Sequence, residues 1–323
     1  MGTFGRTVRD ATYAFDAIWG HDPRDNYTSV TANTPNVDNK TFVEYLSNKE
    51  SLKGATFGLP WQTFWTLADP EQLAALTTML DLISSAGATT INGTEIPKAE
   101  KLVSPTGWDW DYGSTRGFPN ESEYTYVKVD FYNNIATYLS TLSNTPIHSL
   151  QDLVDYNFGN DGSEGGNPWP LGSPAFYSGQ DGFLTSLNTS GVRDATYWQA
   201  LEWCQSNTRN GIDAALNYNG HTLDALLVPP DVGQTYQIAA QAGYPVVTIP
   251  AGVHAESGMP FGLALMQSAW EEGKLIRWAS AIEDLVQFEG AALGLGRTLP
   301  QWRGYLERNI PVVNEVYTQS SNE

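Results

Sequence analysis

The run Trp108-Asp109-Trp110-Asp111-Tyr112 alternates aromatic rings with carboxylates. Rings and acids in this order can stack on a sugar face and bind its hydroxyls, and a pair of acids can act on a glycosidic bond. Read as a strand, however, Asp109 and Asp111 point the same way about 7 Å apart, and both are solvated. The run therefore reads as loop packing, with pocket lining and acid/base chemistry as alternatives. Four histidines are present: His21, His148, His221 and His254. No two stand at the i, i+4 spacing of a helical metal pair, so each reads as structural or surface. Triad members can lie anywhere in a sequence, so spacing leaves a Ser-His-Asp triad open, but no G-x-S-x-G turn is present to raise a nucleophile. Gly162-Ser163-Glu164-Gly165-Gly166 lacks the Lys and the strand-to-helix context of a phosphate loop, and reads as a surface loop. Cys204 is the sole cysteine, which excludes an intrachain disulfide and a Cys-rich zinc site; within Leu201-Glu202-Trp203-Cys204 it reads as a small buried hydrophobe of a helix. No metal or cofactor is expected.

These groups need elements to hold them. Thr7-Val8-Arg9-Asp10 has a capping hydroxyl and an acid for the first turn, and Val8, Ala11, Phe15 and Ile18 follow at helical spacing. Residues 54–59 form a short strand ended by Pro60. Asp69-Pro70-Glu71-Gln72 starts a helix whose buried face is Leu73, Leu76, Leu80 and Ile83, closed by Gly87. Residues 88–91 are the next strand, so 54–91 read as a βαβ unit with a parallel pair. Helices are expected at 130–142, 149–156 and 191–217, with a Gly/Pro-rich loop at 157–182. Farther on, Asp224–Val228, Pro245–Ile249 and Phe261–Met266 are strands, and Tyr236–Ala242 and Glu271–Phe288 are helices. Strands at both ends predict one sheet assembled from distant segments.

The chain has 323 residues, and about 150 per domain gives two domains or one large one. With 17 Lys and Arg against 36 Asp and Glu, the net charge is −19. That argues against nucleic acid and against anionic membrane surfaces as partners. No apolar run is long enough to span a membrane. Met1-Gly2-Thr3-Phe4-Gly5-Arg6 holds no signal peptide, so the sequence reads as cytoplasmic as given, or secreted if a segment bearing a signal peptide precedes it. Sequons at Asn26, Asn39, Asn92, Asn120 and Asn188 lean slightly toward secretion.

Taken in order, several segments resemble one family. Gly5-Arg6-Thr7-Val8-Arg9-Asp10-Ala11, Asp16-Ala17-Ile18 and Asp22-Pro23-Arg24-Asp25 are similar to the segment that follows the nucleophile in amidase signature hydrolases. Leu52-Lys53-Gly54-Ala55-Thr56-Phe57-Gly58-Leu59-Pro60 and Leu226-Leu227-Val228-Pro229-Pro230 resemble strands of that family. Ala242 to Gly252, holding Gly243, Pro245 and Pro250, is similar to its C-terminal signature, as is Gly258-Met259-Pro260-Phe261-Gly262-Leu263. Gly296-Arg297-Thr298-Leu299-Pro300 through Val312 looks like the tail of fungal members.

The resemblance implies an amidase signature fold: α/β, a mixed, largely parallel central sheet flanked by helices. It implies a Ser nucleophile attacking a carboxamide, with a second Ser and a neutral Lys relaying the proton. In the family these precede the Arg-x-Val-x-Asp segment, and no serine here matches them. The expectation is thus one incomplete domain over 1–323, ending in a disordered tail at 313–323 and inactive alone, its partner a separate chain that supplies the catalytic segment. Trp108, Trp110, Pro230 and Asp231 are candidates for a pocket holding a small amide. Arg6, Asp10, Gly243, Pro245, Pro250, Pro260 and Gly262 are expected to be structural. A non-catalytic ligand- or partner-binding relative and a glycan-binding or glycan-cleaving protein stand as alternatives.

Overall fold

The computed structural model describes residues 2–33, 41–160 and 179–296. In chain order the helices are α1 (Val8–Ile18), α2 (Pro70–Ser85), α3 (Ala99–Leu102), α4 (Tyr112–Thr115), α5 (Glu123–Ser140), α6 (Leu150–Gly159), α7 (Asp181–Asn188), α8 (Ala195–Leu216), α9 (Gly233–Ala242) and α10 (Glu272–Phe288). The strands are β1 (Thr56–Leu59), β2 (Thr89–Asn92), β3 (Asn217–Tyr218), β4 (His221–Thr222), β5 (Ala225–Val228), β6 (Val246–Val253) and β7 (Pro260–Met266). The described residues fall into two compact units, one within 2–112 and 203–296 and the other within 113–202.

The first unit is built on a five-stranded sheet of order β2-β1-β5-β7-β6. β1 is parallel to β2 and to β5, while β7 is antiparallel to both β5 and β6. Four strands therefore run one way and β7 alone runs against them: the mixed, largely parallel α/β sheet expected. The βαβ unit is present, with Thr56 opposite Thr89, and distant segments meet where Phe57 lies opposite Ala225. β5 is buried along its whole length, as its unbroken apolar run requires.

The local reasons for these elements are visible. At α1 the extended Thr7 accepts the Asp10 N–H at 3.0 Å, and the Val8 N–H donates to Glu283 of α10 at 2.9 Å. Two orphan donors of the first turn are thereby satisfied, one locally and one across the fold. The Asp69 side chain caps α2 by accepting from the Glu71 and Gln72 N–H groups, ahead of Pro70 at the first turn. α10 is the spine of the unit. It buries Leu275, Ile276, Trp278, Ala279, Ile282 and Leu285, and Trp278 meets Phe57 edge-on at 5.6 Å. Ser280 and Asp284 on the same helix accept the backbone N–H groups of Ser47 and Lys49. Gly262 has no room for a side chain: a Cβ there would sit 2.6 Å from Thr248 Cγ2 and 2.7 Å from the Ile249 oxygen.

The second unit is helical. Phe131 of α5 stacks on Phe183 of α7 at 5.4 Å, and Asp130 takes Arg193 at 2.8 Å together with the Tyr197 hydroxyl. Here the boundaries differ from expectation. α5 begins at Glu123, not 130, because Ser122 and Glu123 open a turn that the weakly patterned sequence conceals. α6 runs to Gly159 and α7 starts at Asp181, so both ends of the expected 157–182 loop are helical. The rest of that loop, with Gly162 to Gly166, lies outside the described residues, as does the expected tail at 313–323. Among the described residues no helix is long and apolar enough to cross a membrane.

Candidate functional site

β1, β2, β5 and β6 all end on one edge of the sheet, which is where open α/β sheets place ligands. Four segments meet the chain there: Pro60 to Trp65 after β1, Gly93 to Ile96 after β2, Pro229 to Val232 after β5 and His254 after β6. The first three are tied down. The Glu95 carboxylate accepts the N–H groups of Gln62 and Thr63 and the Thr63 hydroxyl. Trp61 stacks on Trp65 at 5.3 Å, and the Trp65 indole N–H donates to the Leu227 oxygen at 3.0 Å.

At this edge the structure builds a polar chain that sequence reasoning did not find. His254 Nδ1 lies 3.0 Å from Glu71 Oε2, and its Nε2 lies 2.9 Å from the Gln72 side-chain nitrogen. The Gln72 amide can only donate, so Nε2 accepts and Nδ1–H donates to Glu71. Gln72, buried at the start of α2, also hydrogen-bonds Asp231. The line is thus Glu71–His254–Gln72–Asp231. Its two ends have opposite electrostatics. The His254 hydrogen bond, helped by the Ala255 N–H, holds the Glu71 carboxyl below its usual value. Desolvation pushes Asp231 up, opposed by its neighbours His254 and Gln72, although the residue as a whole faces outward. Asp69, Glu71 and His254 could offer three donors to a cation. Asp69 is engaged as the α2 cap and the other two bond each other, so the trio reads as a capped helix with a hydrogen-bonded imidazole–carboxylate pair. No local signal marks this chain of groups: Glu71 and His254 are 183 residues apart.

Trp108 and Trp110 come together, with ring centroids 5.2 Å apart, and Tyr236 of α9 stands 6.4 Å from Trp108. All three rings are substantially exposed. The Trp-Asp run is a loop and turn, as the loop-packing reading expects. Asp109 Oδ1 accepts the Asp111 N–H at 2.9 Å, so the two acids do not face one way as a pair. The Asp109 carbonyl accepts from Gln237 of α9, and Trp108 lies against Gly233, where a Cβ would come within 2.5 Å of Trp108 Cβ. The aromatic cluster and Pro230-Asp231 are therefore both anchored at the start of α9, Pro230 half-buried three residues before Gly233.

The motif residues lie elsewhere. Arg6, Gly243, Pro245 and Pro250 line a groove of about 700 Å³ together with Val8, Phe15, Tyr244, Val247, Leu275 and Ile276. Gly243 takes a left-handed φ of 69° at the C-terminal cap of α9, which turns the chain into Pro245 and β6. Burial, reinforced by a hydrogen bond to Asp213, raises the Tyr244 hydroxyl to about 12. Asp10 sits in the first turn of α1, Pro260 opens β7 opposite Val253, and Cys204 is buried within α8.

Residues 1–155 match the family model described as Amidase. A Schizosaccharomyces pombe protein bearing an amidase name is 46% identical over 319 residues, which is 96% of this chain and 52% of that protein. An Arabidopsis thaliana protein with an amidase name is 28% identical over 88% of this chain and 48% of its own length. The native peptide amidase of Stenotrophomonas maltophilia superposes with a TM-score of 0.66 at 27% identity, covering 92% of this chain and 54% of that one. The chain spans about half the length of the curated relatives it matches. Residues 1–155 thus carry the amidase family sequence, and the chain has the mixed α/β fold of amidase signature enzymes.

Proposed function

We propose that this chain is the C-terminal, substrate-facing portion of an amidase-type hydrolase that cleaves carboxamide C–N bonds. The reading is carried by the likeness to a peptide amidase along 92% of the chain. The resemblance places the nucleophile, the second Ser and the Lys ahead of the Arg-x-Val-x-Asp segment, and no serine of this sequence matches that motif. Trp108, Trp110 and Tyr236 offer ring faces to an apolar or aromatic amide. Pro230 and Asp231 stand beside them at the start of α9. Asp231, made easier to protonate by desolvation, suits a neutral amide better than an anionic acid.

The test is release of ammonia from benzamide and from a C-terminally amidated dipeptide. The chain alone is expected to release none. Turnover blocked by a serine-directed reagent would mean that it carries its own nucleophile. In the same samples either amide should change the tryptophan fluorescence, and Trp108→Ala should weaken that response several-fold. An unchanged response would remove the aromatic cluster from the substrate site.

A further inference from the structure

The start of α9 brings ring faces and a carboxylate to one place. Trp108 and Tyr236 stand 6.4 Å apart with their planes at 53°, and Trp110 lies 5.2 Å from Trp108. Trp108 is 51% exposed and Tyr236 49%, so their rings open to solvent and not to the core. Gly233 lets the two rings meet over the helix start: a Cβ there would come within 2.5 Å of Trp108 Cβ and 3.2 Å of the Tyr236 oxygen. Asp231 is two residues earlier, so at most about 7 Å of backbone separates it from Gly233.

Both features lack a cation among the described residues. The groups that act on the Asp231 carboxyl are His254 and Gln72, and no lysine or arginine pairs with it. No lysine or arginine lies over Trp108 or Tyr236 either; Lys49, Lys128, Arg116, Arg193 and Arg277 take other aromatic faces. Ring faces attract organic cations, and a partly desolvated carboxylate gains most from a counter-charge that arrives in good geometry. The net charge of −19 draws cations toward the chain and repels anions. Among organic cations a guanidinium suits both features at once. Its plane stacks on a ring while its N–H groups fork onto a carboxylate. The methylene stem behind it supplies the apolar surface that the rings also take.

We propose that the start of α9 is a guanidinium site: the amide taken here carries a guanidinium group that stacks on Trp108 and Tyr236 and pairs with Asp231. This rests on the amide reading above and adds to it the charge of the substrate.

The probes are argininamide and citrullinamide, which share a shape but differ in charge, because a urea replaces the guanidinium. Each is titrated into the full chain by calorimetry. Argininamide is expected to bind about ten-fold tighter, and its advantage should shrink in high salt. Asp231→Asn should remove most of that advantage and leave citrullinamide binding unchanged, which shows that the variant is folded. Trp108→Ala should weaken argininamide several-fold, and Asp81→Asn, an exposed acid of α2, should change neither amide. Equal binding of the two amides would discard the guanidinium site and keep the amide reading. Ethylguanidinium, which has no amide, tests the converse. If it binds as tightly as argininamide and with the same dependence on Asp231, the guanidinium site stands and the amide reading falls. No binding by any of the three, or an advantage that survives both Asp231→Asn and Trp108→Ala, would overturn the proposal.

Discussion

Helices α10 and α5 are almost the same length, 17 and 18 residues, yet they are held in different ways. α10 buries ten of its residues, and its polar side chains also accept from backbone groups elsewhere in its unit. α5 buries three, Tyr126, Val129 and Leu139, and its ties to the rest of its unit include the Phe131–Phe183 stack, Asp130 and the Asn133 bond to the Gly191 carbonyl. An element enclosed by its neighbours must carry an apolar stripe wide enough to meet them all, whereas one that touches a few partners can be mostly polar. Structural importance and readable pattern therefore rise together along this chain.

The sharpest way to break that comparison is to hollow out each helix. Leu285→Ala in α10 should cost about 3–5 kcal/mol, and Leu139→Ala in α5 about 2 kcal/mol. Calorimetry should show the first lowering the melting of the sheet-bearing unit and the second acting on the helical unit. Equal effects of the two on a single transition would mean that the two units unfold as one. A smaller effect is expected at the α2 cap: Asp69→Ala should cost about 1 kcal/mol, read from urea midpoints.

Smallest is the pH dependence at the sheet edge. Glu71 has a lowered folded value, so its contribution is present above its ordinary 4.5 and is lost as pH falls through the folded value. Asp231 has a raised folded value, so its contribution is present below its ordinary 3.8 and is lost as pH rises through the folded value. His254→Ala should therefore lower Tm near neutral pH by an amount that shrinks below pH 4.5. Asp231→Asn should stabilise near neutral pH and lose that gain in acid. A pH-independent His254→Ala effect would show that the imidazole is only packing.

The same contrast explains what was legible beforehand. α1 and α2 are legible through caps and apolar spacing, α10 through its apolar spacing, and β5 through its unbroken run Ala225–Val228, because local chemistry and burial agree there. The start of α5, seven residues ahead of the expected 130, is hidden because Tyr124 to Lys128 carries little periodic signal. Trp108 and Trp110 are visible as residue types in a loop, but the bond from the Asp111 N–H to Asp109 that shapes that loop is not. Gly243 and Gly262 were recognised only as motif letters; their physical reasons, a left-handed cap and a close strand approach, appear once β6 and β7 are side by side. The Glu71–His254–Gln72–Asp231 line was invisible because it joins three segments brought together only by the sheet order.

That order also governs how the chain comes into being. β1 pairs with β2 across a nearby helix, but its other partner, β5, lies far downstream, and the Thr56 N–H donates to Asp224 across 168 residues. At about 5–20 residues per second of synthesis, that side of β1 waits about 10–30 s for its neighbour to leave the ribosome. During that wait Phe57 and Leu59 have no core to enter, and the nascent βαβ unit presents a bare apolar ribbon. Slow translation across the helical unit would lengthen the exposure and favour aggregation, so the yield of folded chain should depend on how quickly, and under what chaperone cover, residues 113–224 are made.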